Sequence, residues 1–138
     1  MLFNEKYNTK KPDYYIQSRN EMLSYIPVNV KRLLDIGCSG GSFGRSVKEK
    51  YGTEVWGIEP FDEAAKEAGN YLDKVIHGLF DYNSLELKGQ KFDCIVLNDV
   101  LEHLISPEKV LKECRSLLGE NGIVVASIPN ILFSGTNQ

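Results

Sequence analysis

The sequence lacks the features that mark secreted, membrane-spanning and nucleic-acid-binding proteins. Its three cysteines, Cys38, Cys94 and Cys114, are odd in number and widely spaced, which argues against a disulfide framework and against a C-x-x-C zinc pair. No apolar run is long enough for a signal peptide or a membrane span. The chain has 16 basic and 19 acidic residues, a net charge of −3, so as a whole it does not attract phosphate backbones. We therefore expect a cytoplasmic protein that binds neither membranes nor nucleic acids.

What the chain does contain is a regular alternation of strand-like and helix-like segments. Its 138 residues, 42% of them hydrophobic, suit a single domain over 1–138, with a helical lid segment at 1–28 and a core at 29–138. Helical patterns cover 13–26, 42–51, 61–72 and 107–118, and strand patterns cover 31–36, 53–58, 74–78, 92–98 and 122–128. This order predicts right-handed βαβ units and a Rossmann-like, doubly wound α/β fold: a mainly parallel sheet with helices on both faces.

A glycine-rich loop, Gly37 to Gly41, follows the first strand and begins two residues after Asp35. The carboxyl end of such a strand is where a doubly wound sheet binds its ligand, and glycine lets the backbone approach that ligand closely. From Gly37 the residues read G-C-S-G-G-S, which is not the dinucleotide fingerprint G-x-G-x-x-G. The acid beside the loop favours a ligand with a positive end over a pyrophosphate.

A second acid, Glu59, ends the second predicted strand, 24 residues after Asp35. An acid at this strand end accepts hydrogen bonds from both hydroxyls of a ribose. The alternatives are that Glu59 is a solvated surface acid and that the glycines form a structural turn. Because both motifs fall at the ends of predicted strands, we favour a ligand that carries a positive charge and a sugar diol.

Four segments carry a family resemblance: LLDIGCSGGSFG, GIEP, FDCIVLNDVLEHL and GIVVASIPN. In this order they resemble the motifs of class I S-adenosylmethionine (SAM)-dependent methyltransferases, especially the bacterial group with an LEH signature after the fourth strand. The resemblance covers roughly residues 14–130. It implies SAM as cofactor, S-adenosylhomocysteine (SAH) as product, and methyl transfer to a small-molecule or glycan-type acceptor.

The resemblance also implies which residues bind the cofactor. The methionine and ribose portions are assigned to Asp35, Gly37, Cys38 and Gly40, the ribose hydroxyls to Glu59, the adenine to Pro60, Leu79 and Phe80, the amino-acid end to Asn98, and the cofactor carboxylate to Arg19. Two positions depart from the family pattern. Ser39 stands where many relatives carry glycine, and Leu79 where many carry an acid, for which Asp81 is a substitute. The alternative for Arg19 is a solvated side chain, and Cys38 is interpreted as a packing residue rather than a nucleophile.

Three candidate catalytic residues, Asp99, Glu102 and His103, follow the fourth strand. In a helical turn they share one face, and an oxygen or nitrogen acceptor calls for a general base. The D-x-x-E-H pattern also resembles the metal site of some methyltransferases, but LEH is common in the group without a metal, so we expect none. The alternative for His103 is a structural role.

Two other functions remain open at this point. One is a SAM-binding module or truncated domain without catalytic activity of its own. The other is an NAD-dependent oxidoreductase, which the missing G-x-G-x-x-G disfavours. Members of the family that this chain resembles have further strands after the segment that corresponds to SIPN. We therefore expect the last strands of the full fold to be lacking and the fifth strand to lie at an edge of the sheet. A homodimer contact, or a longer protein, would then cover that edge.

Overall fold

A computed structural model of the protein describes residues 21–98, 106–128 and 131–136. The strands are β1 Arg32–Ile36, β2 Glu54–Glu59, β3 Lys74–His77, β4 Phe92–Asn98, β5 Leu118–Ile128 and β6 Ile131–Thr136, and the labelled helices are α1 Ser42–Tyr51, α2 Asp62–Ala68 and α3 Pro107–Arg115. The strand order is β3-β2-β1-β4-β5-β6. The first five strands are parallel, which confirms the predicted Rossmann-like α/β fold.

The fifth strand is not an edge, so that prediction was wrong. β6 pairs antiparallel with β5, from Ile123 with Thr136 to Ile128 with Ile131. Only two residues separate these strands along the chain, and a connection that short joins antiparallel neighbours. The surface on which we expected a homodimer contact is therefore covered by the chain's own sixth strand.

One helix ends earlier than the sequence pattern predicts, because a residue of that pattern pairs with a strand instead. α3 ends at Arg115, not at 118, because Leu118 begins β5 and pairs with Phe92. Pro107 lies in the first turn as expected, but Ser106 makes no side-chain capping bond. Gly52 does end α1 in the left-handed conformation, with φ 68°.

Apolar side chains pack on both faces of the sheet. One cluster joins β1, β2 and β4 to α1, α2 and the short helical segment at 21–24, and includes Met22, Phe43 and Val47. The other joins the sheet to α3 and includes Cys114 and Leu117. Burial on both faces explains why β4 reads as a nearly continuous apolar run. None of the helices within the described ranges is long and apolar enough to cross a membrane.

Gly57 in the middle of β2 allows the glycine loop to pack closely against the sheet. A Cβ atom at this position would lie 2.5 Å from the Sγ of Cys38 and 2.7 Å from a methyl group of Leu72. The close approach brings the backbone N–H groups of Gly37 and Cys38 to the carbonyl of Ile58, at 2.8 and 3.0 Å. The loop is thereby anchored to β2, next to Glu59.

Candidate functional site

The glycine loop bends through three left-handed residues. Gly37, Ser39 and Gly41 have φ values of 78°, 51° and 89°. Glycine adopts this region at little cost, whereas an L side chain at Ser39 does so under strain. The backbone N–H of Ser39 donates to Oε1 of Glu59 at 2.8 Å, which offsets part of that strain. The sequence departure at Ser39 is thus accommodated by a hydrogen bond to the second acid.

Glu59 is a buried acid that braces the loop, which excludes the alternative of a solvated surface acid. The residue is 5% exposed. Its Oε2 accepts the backbone N–H of Phe61 at 3.0 Å, while its Oε1 accepts that of Ser39. A carboxylate has about four lone-pair positions, so two stay available to further donors such as sugar hydroxyls.

Asp35, at the carboxyl end of β1, is 1% exposed. Neither of its carboxylate oxygens has a hydrogen-bond partner among the described residues. Burial, and to a smaller extent the nearby Glu59, raises the pKa of Asp35 from 3.8 to about 7. A buried carboxyl group without partners costs stability, and a ligand that donates to it would remove that cost.

Cys38 and Gly40 both lie in closely packed parts of the loop. Cys38 is 4% exposed and its side chain packs against Gly57, which agrees with its interpretation as a packing residue. Burial, together with Asp35 and Glu59, raises the pKa of this thiol, as expected for a packing residue. At Gly40 a Cβ atom would lie 2.5 Å from Oε2 of Glu67, so an α2 carboxylate occupies the space a side chain would need.

The loops after β2 and β3 present apolar groups beside Glu59. Leu79 is 71% exposed, whereas Phe80 is half-buried and packs against the core. Phe61 is 52% exposed and follows Pro60, whose carbonyl accepts a hydrogen bond from Nε2 of His77 at 3.1 Å. The sequence analysis did not name Phe61 as a candidate site residue, because the pattern predicts it as the first residue of a helix. Its position two residues after Glu59 was the feature that could have indicated it.

Other predicted contacts stand as follows. Oδ1 of Asp81 accepts the N–H of Asn83 at 3.0 Å, a local turn within its own loop. Asn98 is half-buried at the end of β4 and pairs in register with Ser127 of β5. The residues Arg19, Asp99, Glu102 and His103 lie outside the described residues. The structure thus brings Asp35, Glu59 and Asn98 to one edge of the sheet, where adjacent strands end.

The strand order defines a Rossmann-like domain, and its two buried acids lie beside a glycine loop at the carboxyl edge of the sheet, where domains of this class bind their ligands. A family model described as a methyltransferase domain matches residues 7–135, nearly the whole chain. The protein therefore belongs to the class I SAM-dependent methyltransferases.

Curated relatives agree with this assignment. The chain is 31% identical over 132 residues to the ubiquinone biosynthesis O-methyltransferase of Actinobacillus pleuropneumoniae serotype 7 (strain AP76), covering 89% of this chain and 53% of that protein. It is 34% identical over 112 residues to the enzyme of the same name from Histophilus somni (strain 2336), covering 75% of this chain and 47% of that one. The chain thus spans about half the length of these relatives.

Solved structures of methyltransferases share the fold. The plantazolicin methyltransferase BpumL, in complex with a triazolic desmethylPZN analog and SAH, superimposes with a TM-score of 0.68 at 18% identity, covering 86% of this chain and 48% of that one. A SAM-dependent methyltransferase from Thermotoga maritima, a possible histamine N-methyltransferase, gives a TM-score of 0.64 at 23% identity, covering 81% and 50%. At these identities the likeness concerns the fold alone.

Proposed function

We propose that this chain binds SAM at the carboxyl edge of β1, β2 and β3 and catalyses transfer of its methyl group to a small-molecule acceptor. One observation carries the proposal. Two buried carboxylates flank the glycine loop, Glu59 bonded to the loop amide of Ser39 and Asp35 without a partner among the described residues. Membership of the methyltransferase family supports the same function.

The residues present fit SAM better than a dinucleotide. A pyrophosphate placed between Asp35 and Glu59 would meet two carboxylates, and like charges repel strongly away from water. The cationic end of SAM instead supplies donors to Asp35, and the ribose hydroxyls match the lone pairs left on Glu59. Phe61 and Leu79 offer exposed apolar surface to a flat base beside that acid. This arrangement disfavours the NAD-dependent alternative.

When bound, SAM supplies a methyl group already activated by its sulfonium. The work left to the chain is orientation, which contributes about 7–11 kcal/mol in favourable cases, and removal of a proton where the acceptor is a hydroxyl or an amine. We keep His103, with Asp99 and Glu102, as the candidate base for that proton. Arg19 remains the candidate partner of the cofactor carboxylate, through a bidentate ion pair.

The names of two relatives support a preference between the possible methyl acceptors. Two proteins at 31% and 34% identity are named as O-methyltransferases of ubiquinone biosynthesis. We therefore favour an oxygen acceptor on a small organic molecule over a glycan. A cytoplasmic location and a homodimer remain predictions, the latter no longer through the edge of β5.

Calorimetric titration tests the cofactor site. The Asp35→Ala and Glu59→Ala variants should each bind SAM and SAH about 1–3 kcal/mol more weakly, because each loses charged hydrogen bonds. Glu63→Ala, at an exposed position on α2, is the matched control and should bind normally. Unchanged affinity in both site variants, or tight binding of NAD without binding of SAM, would refute the proposal.

A transfer assay separates an enzyme from a binding module. Methyl-labelled SAM is incubated with the chain and a panel of phenolic, amine and glycan acceptors. We expect label to move to an oxygen of a small phenol. Normal cofactor binding with no transfer to any acceptor would instead favour a SAM-binding module without catalytic activity of its own.

A further inference from the structure

Asp35 is held in place by the sheet. Its backbone lies in β1, with Gly57 of β2 as register partner on one side and Val96 of β4 on the other. Pairing with both neighbouring strands fixes the backbone of Asp35 and therefore the face of the sheet from which its side chain extends. The carboxyl group on this face is buried and has no hydrogen-bond partner among the described residues.

No described group supplies Asp35 with a donor or a counter-charge. Within 21–98, 106–128 and 131–136, the titratable groups that interact with it are Glu59, Cys38 and Cys94. Two amide N–H groups already donate to Glu59, which therefore acts only as an acceptor and a like charge. Burial, then Asp35 and Asp93, raises the pKa of Cys94 to about 12, and burial also raises the pKa of Cys38, so both are neutral thiols at pH 7.

A carboxyl group in these surroundings has two stable states. It holds a proton, or it ionises against a cation brought from outside. Burial and the neighbouring Glu59, which raise the pKa of Asp35 to about 7, favour the protonated state in slightly acidic solution.

We propose that Asp35 exchanges its proton for the α-ammonium group at the amino-acid end of the cofactor, so that SAM and SAH binding each release this proton. The inference rests on the proposed function and adds a proton linkage to it. In the exchange the O–H bond of the Asp35 carboxyl breaks and its proton passes to solvent. The carboxylate that remains accepts a hydrogen bond from the ammonium, and the positive charge brought in balances the one released.

The linkage sets the pH dependence of affinity. Below the pKa of Asp35 the ligand must displace a proton, and above it the carboxylate is already formed. With a pKa of about 7, SAH should bind about eightfold more tightly at pH 7.5 than at pH 6. The proton released per SAH should fall from about 0.9 at pH 6 to about 0.2 at pH 7.5.

Calorimetry of SAH binding in phosphate and in imidazole measures the released proton, because these buffers differ in ionisation enthalpy and both buffer between pH 6 and 7.5. Asp35→Asn keeps the side-chain shape without the titrating group, and should show neither the affinity change nor the buffer-dependent enthalpy. Glu63→Gln, an exposed carboxylate on α2, is the matched control and should behave as the wild type. Difference infrared spectroscopy gives a second readout: ligand-free wild type at pH 6 should show a protonated-carboxyl band that SAH removes and that Asp35→Asn lacks.

The outcomes separate this inference from the proposed function. Failure of SAH and SAM to bind at all refutes the proposed function. If SAH binds with equal enthalpy in both buffers and its affinity does not change with pH, the proposed cofactor site is retained and the proton exchange is refuted. Release with SAM but not with SAH would place the sulfonium, not the ammonium, at Asp35 and overturn the proposal as stated. If Asp35→Asn binds too weakly to titrate, the infrared band decides.

Discussion

Replacing Asp35 by asparagine should change how the stability of the ligand-free protein depends on pH. The folded protein keeps the Asp35 proton up to a pKa of about 7, because burial and then Glu59 oppose ionisation, whereas the unfolded chain releases it above the ordinary 3.8. The folded state therefore binds more protons between these values. The contribution of Asp35 to stability is therefore greatest below about pH 4, falls as the pH rises to about 7, and is flat above that.

The size of the effect follows from the two pKa values. Each pH unit corresponds to about 1.4 kcal/mol, so the full gap between 3.8 and about 7 amounts to about 4 kcal/mol. Asp35 is 1% exposed, so solvent screening does not reduce this figure. Between pH 4.5 and 7.5, the wild type should lose about 3 kcal/mol more unfolding free energy than Asp35→Asn does.

Urea denaturation followed by circular dichroism, at four pH values from 4.5 to 7.5, measures this difference. Comparing changes with pH, not absolute stabilities, cancels whatever the buried asparagine amide itself costs. Asp81→Asn is the control: it is exposed and keeps the Oδ1 that accepts the N–H of Asn83, so its profile should match the wild type. Parallel profiles for wild type and Asp35→Asn would refute the argument that Asp35 is a buried group without a partner.

Three further predictions concern the loop, its packing on the sheet, and the buried cysteines outside it. Ser39→Gly should stabilise the protein by about 0.5–1 kcal/mol in chemical denaturation, because it relieves a left-handed serine while keeping the N–H bond to Glu59. Gly57→Ala should cost about 1–3 kcal/mol, since the new Cβ meets the Cys38 sulfur, and adding Cys38→Ala should restore part of the loss. The buried thiols of Cys94 and Cys114, with pKa values raised to about 12 by burial, should resist iodoacetamide in the folded protein.

Each of these has a matched control. Ser46→Gly, on α1, should be destabilising, because a glycine within a regular helix costs about 1 kcal/mol relative to alanine. Gly119→Ala should be tolerated, since its nearest atom is the Phe92 carbonyl oxygen at 3.8 Å. All three cysteines should react once the chain is unfolded in urea. A stabilising Ser46→Gly, an equally harmful Gly119→Ala, or rapid native alkylation of Cys94 would contradict the corresponding reasoning.

Several features of the fold were predictable because they depend on short stretches of chain. The apolar run of β4, the glycine loop after β1 and the left-handed Gly52 at the end of α1 follow from local pattern and backbone preference. The position of Glu59 at the end of β2 followed from strand length in the same way. The start of β5 did not, because Leu118 leaves the helical pattern to pair with Phe92, a partner 26 residues earlier in the chain.

The sequence by itself determined the order of the first five strands and of the helices between them, the place of the loop, and the two acids beside it, since each depends on the spacing of neighbouring residues. Only the tertiary structure decided that Glu59 accepts hydrogen bonds from the backbone N–H groups of Ser39 and Phe61. It also decided that Asp35 is buried without a partner among the described residues, and that β6 pairs with β5. The reason is physical. Burial and hydrogen bonding depend on which distant segments the fold brings into contact, and no local pattern encodes that distance.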